Sequence, residues 1–364
     1  MTYVTAEGDS SMPVCSQLLG RRLGVRELRT DVYLGMEERF DVPLLGFGAA
    51  RQLWRDLRFV VALNRAGGGL VHLSNHHQGR YGPFLRSPFV ITVHDLIRYF
   101  DLHGSEPLIE RPDLRERLLL RLDYLGIRRA LRVIAVSRYT KSDLMEHLRI
   151  PEEKISVVYH GLDHGLYRPV SGPRPVPYPY VLYVGAEHPR KNVPTLLRAF
   201  SRLKRDGRFR ELKLVKVGKA GDPETAFRPP VLREIERLRL KPDVVFAGFV
   251  PQERMPLYYA HAECLAFPSL YEGFGLPLME AMACGCPVVS SNASAVPEVV
   301  GDAAITVDPL DDAALAGALR RVLTDASRRR RLIGRGLERA ALFSWEKAAQ
   351  KTLRVYEQVE RELM

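Results

Sequence analysis

Glu272 and Glu280 stand on either side of Gly273-Phe274-Gly275-Leu276-Pro277. A carboxylate accepts hydrogen bonds from hydroxyl groups and would repel a phosphate placed beside it. Arg190 and Lys191 offer the opposite chemistry: adjacent cations on a strand-to-helix loop can counter a diphosphate. Because adjacent side chains often point apart, Lys191 is the firmer candidate of the two. His94 follows an apolar run, Phe89-Val90-Ile91-Thr92-Val93. A neutral imidazole there can hydrogen-bond a hydroxyl or polarise a reacting group; a histidine satisfied inside the fold is the competing reading.

These residues need strand ends and helix starts to hold them. Cys264-Leu265-Ala266-Phe267 reads as a strand buried on both faces. Gly273 and Gly275 permit a tight turn and a close approach of backbone to ligand. Pro277 suits the first turn of a helix running to Ala283, and Gly285 suits its end. Pro287-Val288-Val289-Ser290 restarts a strand, which completes a βαβ unit with its ligand side at the glycine loop. The same rhythm runs through the whole chain. Strands are expected at Thr2–Ala6, Asp31–Gly35, Leu70–Leu73, Phe89–Val93, Val133–Val136, Lys154–Tyr159, Tyr180–Gly185, Leu212–Gly218 and Val244–Val250. Helical spacing marks Val14–Leu23, Ala50–Leu63, Leu114–Leu131, Pro194–Leu203, Ala313–Leu323 and Trp345–Glu360. Ser137 is placed to cap a helix from Thr140 to Leu148. Asn75 to Arg80 reads as a polar loop; its His76-His77 pair lacks further ligands at a metal-binding spacing. Pro169, Pro173, Pro175, Pro177 and Pro179 mark a semi-rigid hinge.

The chain has 364 residues, enough for two domains with separate cores, and its 46% hydrophobic and 27% charged content fit a globular protein. No apolar run approaches the roughly 18 residues of a membrane span, and the N-terminus shows no export signal. Four cysteines do not make a disulfide framework in a chain this long, and Cys264, Cys284, Cys286 and His261 do not form a usual zinc pattern. The net charge of +11 suggests anionic partners. It is spread over both halves without a zinc-finger or RNP-like motif, so nucleic acid is not expected. Leu114–Leu131 combines helical spacing with Arg115, Arg117, Arg121, Arg128 and Arg129. Such a segment is either a packed helix with a solvated basic face or one that lies on anionic lipid.

The string Phe267-Pro268-Ser269-Leu270-Tyr271-Glu272-Gly273-Phe274-Gly275-Leu276-Pro277, with Glu280 beyond it, resembles the signature of the retaining family-4 glycosyltransferases of GT-B fold. The likeness covers nearly the whole chain and is strongest from Tyr180 onward. It implies an α/β protein of two Rossmann-like domains with parallel sheets facing a central cleft. The expected division is an N-terminal acceptor domain over 1–170, a linker over 171–179 and a nucleotide-sugar donor domain over 180–344, with helix 345–364 returning to the first domain. The resemblance puts the donor sugar at Glu272, the ribose at Glu280 and the diphosphate at Lys191, with Arg190 a substitute for a family arginine that Ala186 replaces here. It further places Gly218, Val250, Gly273, Phe274, Gly275 and Leu276 around the donor, and Gly8, Ser10, Ser11 and Ser137 around the acceptor; His76, from the residues alone, reads either as lining of the acceptor cleft or as part of a plain loop. His94 matches a functional family histidine, which makes His94, Glu272 and Lys191 the catalytic candidates.

The resemblance thus implies a retaining, metal-independent hexosyltransferase without a cofactor. Its donor is a nucleotide-diphospho-sugar, and its acceptor a glycan, a lipid-linked sugar or a small molecule. Glu187-His188-Pro189-Arg190-Lys191-Asn192 is most similar to mannosyltransferase-type members, which favours GDP-mannose over a UDP-sugar. The expected location is cytoplasmic, with contact at the inner face of a membrane an additional expectation. A nucleotide-sugar epimerase of the same fold and a non-catalytic sugar-nucleotide scaffold are the rival readings. A nicotinamide dehydrogenase is disfavoured because no G-x-G-x-x-G follows the first strand.

Overall fold

The computed structural model describes residues 2–6, 11–23, 26–30, 47–65, 69–218 and 224–364. They form two compact units. The first comprises 1–105, 110–161 and 345–364, and the second comprises 106–109 and 162–344.

The first unit contains β1 (Thr2–Ala6), α1 (Ser11–Leu23), β2 (Arg26–Thr30), α2 (Phe47–Arg65), β3 (Val71–Leu73), β4 (Phe89–Val93), α3 (Ile97–His103), α4 (Leu114–Arg129), β5 (Arg132–Ala135), α5 (Arg138–Leu148) and β6 (Ile155–Val157). Its strands pair in parallel in the order β2-β1-β3-β4-β5-β6. The β-branched run of β4 lies at the centre, buried at every position, and packs with Leu73, Val133, Ile127 and Leu144 in one apolar core. The expected strand at Asp31–Gly35 lies outside the described residues; the edge strand next to β1 is Arg26–Thr30.

The stretch expected as a polar loop is instead a buried 3-10 helix, His76–Phe84. Asn75 accepts from the His77 N–H at 2.9 Å, and the Gln78 side chain accepts from the Asn75 N–H at 3.2 Å. This reciprocal cap lets a polar sequence enter the interior. Gly79 and Gly126 make the burial possible. A Cβ on either would collide with the other helix's backbone, so α4 and the 3-10 helix touch main chain to main chain.

The second unit contains β7 (Tyr180–Val184), α6 (Val193–Lys204), β8 (Lys213–Val217), α7 (Glu224–Arg237), β9 (Val244–Gly248), α8 (Met255–Ala260), β10 (Cys264–Phe267), α9 (Leu276–Ala283), β11 (Val288–Ser291), α10 (Val296–Val300), β12 (Ala304–Val307), α11 (Asp312–Thr324) and α12 (Ala326–Ala340). Its sheet is also parallel, ordered β12-β11-β10-β7-β8-β9. Two such doubly wound sheets are Rossmann-like domains, the GT-B class that the resemblance implies.

The last helix, α13 (Trp345–Leu363), belongs to the first unit, where the Tyr356 hydroxyl lies 2.5 Å from His72 Nδ1. The first unit ends at Gly161 and the second resumes at Leu162. Residues after Gly161 are tied into the second unit: Leu162 bridges to Ser344, and His164 Nε2 bonds the Phe343 carbonyl at 2.8 Å. Among the described residues no helix is long and apolar enough to cross a membrane.

Candidate functional site

The second unit gathers its site at the carboxyl ends of β7, β8 and β10. After β7 the chain makes a short 3-10 turn, Pro189–Lys191, and Asn192 takes a left-handed conformation with φ 56° to start α6. Asn192 Nδ2 donates to the Pro268 carbonyl at 3.1 Å, which ties this loop to the one after β10. Arg190 and Lys191 both reach the same carboxylate: Lys191 Nζ lies 2.6 Å from Glu272 Oε1, and Arg190 Nη1 lies 2.9 Å from Oε2. The expectation that the two cations diverge is therefore corrected, because the 3-10 turn wraps them onto one partner. Burial would raise the Glu272 pKa, but the two cations hold it down at about 2. Lys191 is itself buried, and its ammonium stands 5.2 Å from the centre of the Phe267 ring.

Gly275 adopts φ 111°, which only glycine takes easily, and hands the chain to α9 with Leu276 first and Pro277 second. Gly273 and Phe274 are buried in this turn, and the Phe274 ring meets Phe343 edge-on at 5.8 Å. Glu280 sits one turn further along α9 in a different setting. It accepts from the Tyr259 hydroxyl at 2.6 Å and from Tyr167. Burial lifts its pKa to about 7 against the pull of these two hydroxyls. The two glutamates thus share no partner in the structure: one is a paired anion, the other a carboxyl poised near neutrality.

Gly218 follows β8 with φ 112° and donates to the Gly248 carbonyl at 2.8 Å. A Cβ there would fall 2.9 Å from the Gly185 carbonyl oxygen, so the strand ends are drawn together at the expected donor loop. Val250 is buried, while its neighbour Phe249 is 63% exposed.

A second ion cluster escaped the sequence reading. Glu187, buried just beyond β7, lies 3.0 Å from Lys216 Nζ and 2.8 Å from Arg228 Nε. Arg228 also stacks over Phe246 at 4.3 Å. The signal available was weak: a loop glutamate, and an odd lysine inside the strand Leu212–Gly218.

The first unit brings His94 together with His76 and His160. His94 Nε2 donates to the Ser74 carbonyl at 2.9 Å, Nδ1 lies 3.3 Å from His160 Nε2, and the His94 N–H donates to His76 Nδ1 at 3.3 Å. Burial lowers the pKa of all three imidazoles; repulsion by His94 adds to it at His76 and His160, while at His94 the Ser74 carbonyl and Asp95 oppose it. Beneath them Ser74, Thr92, His94, His160 and Trp345 line a cavity of about 20 Å³, space for a water rather than a sugar. Ser137 is fully buried and spends its hydroxyl on the cap of α5, accepting from the Thr140 N–H at 2.9 Å. Gly8 and Ser10 lie outside the described residues, and Ser11 begins α1. The four cysteines are buried free thiols, and among the described residues no His, Cys, Asp or Glu group could hold a metal ion.

Comparison with known proteins bears on this architecture. The Glycosyltransferase Family 4 profile matches residues 22–166, and the Glycosyl transferases group 1 profile matches residues 169–339. The chain is 34% identical over 234 residues to the O-antigen chain mannosyltransferase B of Escherichia coli. It is 35% identical over 231 residues to the MMP alpha-(1->4)-mannosyltransferase of Mycolicibacterium hassiacum. Each match covers 62% of this chain, but only 60% and 53% of the relatives' own lengths. Among solved structures, a sucrose-phosphate synthase from Thermosynechococcus elongatus superposes with a TM-score of 0.77 at 23% identity over 99% of both chains. The Anabaena HepE protein, solved in complex with UDP-glucose, gives 0.78 at 19% identity over 99% of this chain and 100% of its own. The two profiles together match residues 22–166 and 169–339, most of the chain, and the chain belongs to the family-4, group 1 glycosyltransferases of GT-B fold.

Proposed function

We propose that the protein transfers a hexose, with mannose favoured, from a nucleotide-diphospho-sugar to a hydroxyl of a glycan, lipid-linked or small-molecule acceptor. The observation that carries this reading is the buried cluster of Glu272, Lys191 and Arg190. Two cations that share one carboxylate offer a diphosphate a ready counter-charge, and the carboxylate they release is an acceptor for sugar hydroxyls. Glu280, between two tyrosine hydroxyls, suits a ribose. Mannose is favoured by the loop Glu187–Asn192 and by the names of the relatives. The protein is proposed to work in the cytoplasm.

In the proposed reaction the acceptor oxygen bonds to the anomeric carbon as the bond from that carbon to the phosphate oxygen breaks. Attack comes from the face the leaving group departs, so the anomeric configuration is retained. The acceptor proton passes to the leaving phosphate oxygen, so no carboxylate base is required, and the counter-charge a divalent metal would supply comes from side chains. Lys191 and Arg190 stabilise the charge that gathers on the diphosphate.

The test is a panel of GDP- and UDP-sugars with cell-envelope lipids and glycans, with products read by mass spectrometry and anomeric NMR in chelator. Transfer from GDP-mannose with an α-linked product supports the proposal. Release of a free epimerised sugar, or an inverted linkage, overturns it.

A further inference from the structure

We infer that Arg228, on α7, is a further donor-binding residue whose guanidinium takes a phosphate oxygen of the nucleotide-sugar diphosphate. The inference rests on the donor reading above and adds to it a side chain outside every motif of the sequence. Arg228 is fixed on two sides. Its Nε donates to Glu187 Oε2 at 2.8 Å, and its guanidinium carbon stands 4.3 Å from the centre of the Phe246 ring. The edge that carries Nη1 and Nη2 makes no hydrogen bond or ion pair among the described residues, and the side chain is 29% exposed. A guanidinium held by its Nε and by one face keeps a rigid fork of N–H donors, the geometry that suits a phosphate.

Glu187 does not need Arg228 for neutrality. Lys216 Nζ lies 3.0 Å from Glu187 Oε1, and both side chains are buried, so the lysine is already a full and poorly screened countercharge. Arg228 is the second cation on that carboxylate, just as Glu272 has two in Arg190 and Lys191. Each cluster therefore holds one surplus positive charge. The diphosphate of a nucleotide-sugar carries one negative charge on each phosphate. With Glu272 beside the sugar, the first cluster leaves one of those charges uncountered, and the surplus of the second cluster matches it.

The two clusters are neighbours. Tyr183 lies under both, its hydroxyl donating to the Ala186 carbonyl at 2.7 Å. Burial raises its pKa, Glu272 and Glu187 act in the same direction, and Arg190 opposes them. Lys216 Nζ also donates to the Gly218 carbonyl at 2.8 Å, and Gly218 packs against Gly185 where β7 and β8 end side by side. A Cβ on Gly185 would in turn meet Lys191 Cε at 3.7 Å. Arg228 thus belongs to a cluster one strand across from Lys191, on the side of Gly218 where the nucleotide is expected.

The experiment is calorimetry of the full chain with GDP, UDP and inorganic pyrophosphate. Arg228→Gln should weaken all three by about five- to tenfold and make binding less sensitive to salt. Arg228→Lys keeps the charge but lacks the fork, so it should recover only part of the loss. Lowered thermal stability with unchanged affinity would make Arg228 a structural tie between α7 and the sheet and overturn the proposal. So would a loss confined to GDP, which would put the guanidinium on the base. Lys191→Ala separates this inference from the donor reading. If Lys191→Ala weakens pyrophosphate and Arg228→Gln does not, the donor site stands and Arg228 is not part of it. If neither variant alters binding of any of the three, both readings fall.

Discussion

The carboxyl ends of parallel strands are furnished in opposite ways in the two units. In the second unit Glu272, Lys191, Arg190, Glu187 and Lys216 are charged groups, buried or nearly so, and are paired, Glu187 also with the partly exposed Arg228. In the first, His76, His94 and His160 beyond the strand ends, with His72 inside β3, are buried imidazoles whose pKa values are lowered chiefly by desolvation. A buried charge needs a countercharge, which is what the proposed exchange of Glu272 for a diphosphate would supply in the second unit. A buried neutral imidazole needs only a donor or acceptor, which suits uncharged hydroxyl chemistry and makes the first unit vulnerable to acid.

That vulnerability is the largest effect expected. An imidazole with an unfolded pKa near 6.5 and a lower folded one contributes stability in full above about pH 6.5 and loses it as pH falls. His72, lowered to about 3, loses about 1.4 kcal/mol per pH unit over that range, and His76, His94 and His160 shift in the same direction. Both tryptophans lie in the first unit: Trp54 in α2 is exposed, and the buried Trp345 ring is 5.9 Å from His160. Tryptophan fluorescence therefore reports this unit selectively. Its thermal midpoint should drop sharply from pH 7 to 5.5, and a nucleoside diphosphate should not restore it. A flat midpoint over that range would remove the contrast between the units.

Next in size is Lys191→Ala. Arg190 alone would then face Glu272, and a bound diphosphate would lose a desolvated, charge-assisted partner worth about 1.5–3 kcal/mol. Calorimetry with GDP and UDP should show affinity down by one to two orders of magnitude. Unchanged affinity for both would remove Lys191 from the site.

Glu280→Gln sharpens the comparison within the second unit. The Glu280 carboxyl has its folded pKa raised to about 7 from an unfolded value of 4.5. The folded state therefore binds the extra proton, and stability falls as pH rises between those values, by about 2 kcal/mol from pH 4.5 to 6. Gln should abolish this slope in urea unfolding curves followed by circular dichroism and should weaken bare nucleotide binding. A slope that persists in the variant would assign it to another group.

Much of this was legible in the sequence because strands of a parallel sheet are buried on both faces. Phe89–Val93 and Cys264–Phe267 coincide with β4 and β10 as read. The turn at Gly275 was legible because a left-handed φ before a helix leaves few choices but glycine. What stayed hidden depends on partners distant in the chain. The polar run from Asn75 can be buried only because Asp123 on α4 takes Arg80 and because Gly126 admits Gly79. Glu187 reads as part of the loop Glu187–Asn192, and its burial shows only once Lys216 and Arg228 are seen to enclose it. Tyr167 and Tyr259, which set the Glu280 carboxyl apart from Glu272, lie far from it in sequence and carry no motif.

The smallest effect, a gain in nucleotide affinity, is the most discriminating. With its pKa held at about 2, Glu272 is ionised throughout the working range, so Glu272→Gln removes a full charge at any assay pH. Lys191 and Arg190 then lose the partner they share. Two buried cations without a counterion destabilise the fold, and a diphosphate that replaces the counterion is bound more tightly than in the parent. The variant should therefore melt earlier when empty and regain stability with GDP. It should bind the bare nucleotide up to about tenfold tighter, a gain of about 1–1.4 kcal/mol. Sugar transfer should fall instead, by about 1–3 kcal/mol in kcat/KM, because the carboxylate proposed to hold the sugar hydroxyls has gone. Calorimetry with GDP and initial rates with the intact donor read the two effects separately. If Glu272→Gln abolished nucleotide binding while Glu280→Gln spared it, the donor would lie in the reverse direction. The ion cluster would then be a ribose-side lock rather than a diphosphate site.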